Sequence, residues 1–276
     1  GGVAWLLCDR EELYSSRDQG KTWQSVRLPV SVRLRSIAFV DQTRGFIAGD
    51  SGTLLATEDG GRTWSQVKTP SNEHFRDIEF VGQSGWIGGY GGTILSSSDG
   101  GRTWIRRNLA QSISIEDIFF LDEKLGWAVG WNGAILRTTD GGANWVQVQS
   151  PAAMWTLSSV WFRDPQNGWV VGMSGQLLRS RDGGLTWEAL ESPLRSWLTS
   201  VYFDASGRGW ITAGNDLLTS EDGGETWRAL GFEERLFFER IIAVGGSLWA
   251  VGPFAILTRE GSSPDWRRLE TLGKAG

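Results

Sequence analysis

Side chains able to do acid–base, nucleophilic or metal chemistry are scarce in these 276 residues. There is one histidine, His74, one cysteine, Cys8, and three tyrosines, Tyr14, Tyr90 and Tyr202. A single Cys forms no internal disulfide, and no Cys and His spacing has the form of a zinc site. No metal and no cofactor are expected. Hydrolysis of a glycosidic bond needs two carboxyl groups on opposite sides of it. Asp50 and Asp77 can be nominated for that pair, but nothing in their spacing singles them out. His74 falls on a loop, where an exposed, non-catalytic imidazole is expected.

What positions such residues is a repeat. Trp23, Trp64, Trp104, Trp145, Trp187, Trp227 and Trp266 follow one another at steps of 41, 40, 41, 42, 40 and 39 residues, the length of one four-stranded propeller blade. Six of them close the same octet, as in Ser16–Trp23 (SRDQGKTW) and Thr57–Trp64 (TEDGGRTW). Asn144 replaces the Thr in the fourth copy. The seventh, Thr258–Trp266, is one residue longer, with Glu260 in the acidic position. In each octet the Asp carboxylate can accept backbone N–H groups inside a turn, while Gly supplies positive φ. Asp18, Asp59, Asp99, Asp140, Asp182 and Asp222 are therefore read as structural.

Two further signatures precede every octet. One is a strand, a glycine turn and a second strand, as in Gly85–Leu95, with Trp5, Phe46, Trp86, Trp127, Trp169, Trp210 and Trp249 in register and expected in the core between blades. The other is a short alternating strand such as Ile78-Glu79-Phe80. Each unit thus supplies strands A to D, and the expected fold is an all-β, seven-bladed propeller of four-stranded antiparallel blades, a single domain over residues 1–276. The chain begins at strand B of its first blade and ends just after strand D of the last, near Leu269, so the first blade lacks its inner strand. Thr271–Gly276 is a poor candidate for that strand, and residues upstream of Gly1 are the favoured source.

The octets occupy the C–D turns, so the B–C turns and D–A connections emerge on the opposite face. Loops placed by a rigid scaffold carry binding. Asp50, Tyr90, Trp131 and Met173 align at one B–C turn position; Arg33, His74, Ser114, Thr156 and Trp197 align at the start of strand A. The two repeat positions account for thirteen of the 17 tryptophans. Of the other four, Trp131, Trp155 and Trp197 fall on loops of this face, near Arg33, Arg35, Arg76, Arg195 and Arg240. Aromatics among arginines mark protein interfaces, so these residues, with Tyr90, form the candidate partner-binding set. Glu79 stands where other blades carry apolar or aromatic residues; buried without a partner, its pKa would rise.

The octets resemble the Asp-box, or BNR, motif of sialidase-like propellers. A sialidase would need a tyrosine nucleophile, yet only Tyr90 of the three tyrosines lies on the candidate face, and no Phe-Arg-Ile-Pro segment is present. Xyloglucanase-type enzymes use two such propellers with a cleft between them, and this length supplies one. Units such as Gly126–Gly130 followed by Ile135–Gly142 resemble the photosystem II stability and assembly factor family. That resemblance implies a single seven-bladed propeller, not an enzyme, that binds newly made membrane-protein subunits through an arginine-rich face. A carbohydrate-binding or glycoside-hydrolase-like propeller at the cell envelope is the alternative.

A formal charge of −5 disfavours nucleic acid and anionic membrane surfaces as partners. No stretch approaches the roughly 20 apolar residues that span a bilayer. The expectation is a monomeric, extracytoplasmic protein, in the thylakoid lumen or the periplasm and cell envelope, whose partner is a protein segment.

Overall fold

The computed structural model describes residues 2–8, 12–109, 112–232, 234, 236–244, 246–253, 255–260, 263 and 265–269. They form seven antiparallel sheets, six of four strands and one of three. The fourth blade is representative: strands A to D are Ile115–Phe120, Gly126–Gly130, Ile135–Thr138 and Val146–Val148, paired in sequence order. The first blade consists of Ala4–Cys8, Glu12–Ser16 and Gln24–Val26. Among the described residues this sheet has three strands and no inner one, in keeping with the repeat register. The alternative closing segment, Thr271–Gly276, lies outside the described residues.

Asp-box chemistry builds one face. In the third blade Asp99 accepts from the Thr103 N–H (2.9 Å), the Thr103 hydroxyl (2.7 Å) and the Ser97 hydroxyl (2.8 Å), and the Gly101 N–H donates to Ser97 Oγ at 2.9 Å. Asn144 keeps the pattern in the fourth blade, its Nδ2 donating to Asp140 at 2.7 Å in place of a hydroxyl. These donors hold the carboxyls of Asp18, Asp59, Asp99 and Asp222 down at about 2, with the Thr hydroxyl the largest contribution in each. Part of the seventh octet, Gly261, Ser262 and Pro264, lies outside the described residues.

The strand-B aromatics join the blades. Trp86, Trp127, Trp169 and Trp210 are fully buried. Trp86 stacks on Phe120 of the next blade with ring centroids 3.5 Å apart, and its Nε1 donates to the Gly141 carbonyl of that blade's octet at 2.8 Å. Gly184, at φ +81°, has no room for a Cβ because the Trp127 indole lies against it. Rings of this size bury roughly 200 Å², which at ~25 cal/mol per Å² sets a ceiling of about 5 kcal/mol each. The circle closes in the same way: Trp249 of the seventh blade tucks under Gly20 of the first and meets Trp23 edge-on at 6.0 Å. Among the described residues no helix is long and apolar enough to cross a membrane.

Candidate functional site

The opposite face is sewn together by its backbone. At the B–C turns of the second to fifth blades the variable residue is followed by two residues at positive φ: Ser51 and Gly52, Gly91 and Gly92, Asn132 and Gly133, Ser174 and Gly175. The turns close with N–H to C=O bonds such as Thr93 to Tyr90 (3.1 Å) and Ala134 to Trp131 (3.1 Å). Positive φ at both central positions is the type I′ hairpin, whose twist matches the strands. The displayed residue then bonds to the start of strand A in its own blade. Asp50 N–H reaches the Arg33 carbonyl, Tyr90 that of His74, Trp131 that of Ser114 and Met173 that of Thr156, all at 2.9–3.0 Å. The turn glycine bonds to the following D–A connection, Gly133 N–H to the Trp155 carbonyl at 2.7 Å. The two variable positions aligned by sequence are thus neighbours in space, held by main chain.

Their side chains form a continuous strip across the second to fourth blades. Arg35 grips Asp50 with two bonds (2.9 and 3.1 Å), and His74 Nδ1 lies 3.3 Å from the same carboxylate. Burial works against that charge, but the Arg35 and His74 bonds outweigh it and hold the Asp50 pKa below the ordinary range. The His74 ring is 5.8 Å from Tyr90, and Tyr90 is 5.2 Å from Trp131. Behind Tyr90, at 5.4 Å, lies the Arg76 guanidinium. Arg76 donates through Nε and a terminal nitrogen to Glu116 at 2.8 and 2.6 Å, and the other oxygen of Glu116 accepts from Trp131 Nε1 at 2.6 Å. Further round, Trp197 Nε1 donates to Ser158 Oγ at 2.6 Å.

Trp131, Trp155 and Trp197 are 44%, 41% and 45% exposed, an unusual amount for indoles whose backbones are fixed. Arg33 and Arg195 are also exposed, and Arg195 borders a small groove with Gln176 and Leu194. Sequence reading passed over Glu116, the hub of the strip, and Met154, 88% exposed beside Trp155. Glu116 lies two residues after Ser114, in the same repeat column as Arg35 and Arg76, so comparing that column across the blades would have exposed it.

Arg240 sits elsewhere. From the seventh blade it reaches across the channel to Asp77 (3.3 Å) and towards Asp117 (3.8 Å) of the third and fourth. Asp77 also accepts from Ser36 Oγ (2.7 Å) and the Ile118 N–H (3.3 Å), Asp117 from the Val160 N–H (2.8 Å). Glu79 accepts from the Phe120 N–H at 2.6 Å. Burial, then the nearby Asp77 charge, lifts Asp117 to about 8 and Glu79 well above its ordinary value. Of the two carboxylates nominated as a hydrolytic pair, Asp50 is thus tied to Arg35 and His74 on the face, and Asp77 to the channel cluster. Tyr14 lies on strand C of the first blade and Tyr202 on strand A of the sixth. Among the described residues no group of His, Cys, Asp or Glu is placed to hold a metal ion.

The profile of the family described as Photosynthesis system II assembly factor YCF48 matches residues 15–115 and 145–250. The chain belongs to this family. Solved structures with the same fold include YCF48 bound to D1 peptide, 24% identical over 92% of this chain and 86% of that one, with a TM-score of 0.74. YCF48 from Cyanidioschyzon merolae is 22% identical over 91% of this chain and 90% of that one, at 0.72. The GH74 xyloglucanase from Xanthomonas campestris is 14% identical; the match covers 93% of this chain but 50% of the enzyme, at 0.73. No curated protein matches by sequence.

Proposed function

We propose that this YCF48-family chain is a non-catalytic assembly factor that binds an extended segment of a photosystem II subunit on its B–C and D–A face, acting outside the cytoplasm as a monomer. The observation that carries the reading is the run of aromatics, partly buried Tyr90 and half-exposed Trp131, Trp155 and Trp197, with the main chain of Tyr90 and Trp131 fixed by type I′ turns. Rigid aromatics give contact area at small entropic cost. Arg33 and Arg195 border them as contact residues, Arg35 and Arg76 support them from behind, and Arg240 steadies the channel beneath. That a YCF48 structure carries a D1 peptide supports a protein segment as the ligand class. The closed hydrogen-bond sets around Asp50 and Asp77 support binding over hydrolysis.

The test is capture of D1 peptides. Replacing Trp131 and Trp197 together by Ala should abolish capture while the thermal unfolding curve stays nearly unchanged, because both rings are half exposed. Retained capture would sink the placement of the site. A signal on a glycan array, lost in the same double variant, would favour the carbohydrate-binding alternative.

A further inference from the structure

Resting on that reading, we infer that Tyr90 and Trp131 form a preset station for an uncharged, apolar side chain of the bound segment, and that Glu116 is the positioning residue that presets it. The two rings meet at 5.2 Å with a 60° tilt, a wedge whose Trp131 side is 44% exposed and whose Tyr90 side is partly buried. Glu116 fixes Trp131 through the indole N–H and, with its other oxygen, fixes Arg76 under Tyr90. Both partners of this ion pair are largely covered, Glu116 at 11% and Arg76 at 21% exposure. Charge-assisted bonds of this kind are short and strong.

The same contacts select the ligand's chemistry. A cation placed on the open face of Tyr90 would meet the Arg76 charge already behind the ring, where one cation–π contact is satisfied. A carboxylate would find Arg76 neutralised and Glu116 repelling it. Arg76, counted from sequence among the partner-binding residues, is therefore spent internally, as Arg35 is on Asp50. What the wedge offers is ring surface, suited to an aliphatic side chain or a proline. Ring surface gives affinity that salt screens little, whereas unpaired charges lose affinity as salt rises.

Three measurements on the full chain decide it. In ¹⁵N-Trp-labelled protein, with the signal assigned through Trp131→Phe, Glu116→Gln should move the Trp131 indole resonance and speed its exchange, leaving the buried indoles in place. The same variant should bind a D1 peptide about tenfold more weakly, because the rings must be ordered on binding. Tyr90→Ala should weaken peptide binding by the same factor at roughly 50 and 500 mM NaCl. Unaltered peptide affinity in Glu116→Gln, or an unmoved Trp131 signal, overturns the positioning role; a Tyr90→Ala penalty that shrinks severalfold as salt rises overturns the uncharged ligand. A wild-type chain that captures no D1 peptide overturns the proposed function instead, and the indole signal still reports on Glu116.

Discussion

Asp117→Asn should remove a penalty that the wild-type fold carries in mildly alkaline solution. In the unfolded chain this carboxyl ionises near 3.9; in the folded channel, 5% exposed and beside Asp77, it stays protonated to about 8. Between those values the unfolded state releases a proton that the native state keeps, so stability falls as pH rises, by ~1.4 kcal/mol per unit. Below the lower value the contribution is fully present, and above pH 8 the loss is complete. The ceiling is about 6 kcal/mol, and even half of it shifts the melting temperature by roughly 6 °C. Asparagine mimics the protonated acid: its oxygen can accept from the Val160 N–H and its amide can donate towards Asp77. Melting temperatures by calorimetry from pH 4 to pH 9 should therefore coincide for the two proteins at the acid end and diverge, the variant higher, towards pH 8. Parallel curves would refute a neutral Asp117. Glu79, raised in the same direction, should leave the variant a residual slope that Glu79→Gln reduces.

Other expectations concern the scaffold. Asp99→Ala removes three turn bonds at a partly buried site and should cost on the order of 1 kcal/mol in urea unfolding, with D1 peptide capture intact; if capture fails first, the Asp-box face is itself functional. Because Asp99 titrates near 2 in the fold, the stability it adds is present above the ordinary carboxylate pKa and should disappear as pH falls from about 4 to 2, which acid titration of wild type against Asp99→Ala can read. Gly184→Ala, at φ +81° with the Trp127 indole in the way, should lose roughly 2–4 kcal/mol. Gly231→Ala, at φ +75° with nothing within 4 Å, should lose only about 1 kcal/mol; equal losses would show that the indole contact is not what excludes the side chain.

The amino-acid sequence alone determined the number of blades, the Asp-box turns and the division of the molecule into two faces. These are local matters: a carboxylate bonding four residues along its own chain, glycine at positive φ, and a period of about 40 residues leave their mark in consecutive letters. It also placed Trp131, Trp155 and Trp197 outside the core, since they fit neither repeat position. What only the tertiary structure decided is how each charge is spent. Arg76 meets Glu116 at 40 residues' separation, and Arg240 meets Asp77 at 163, across the channel. Those pairings exist only once the ring has closed, because the distance between side chains on different blades is set by how the sheets pack around one axis. The same closure, by burying Asp117 beside Asp77, raises its pKa to about 8.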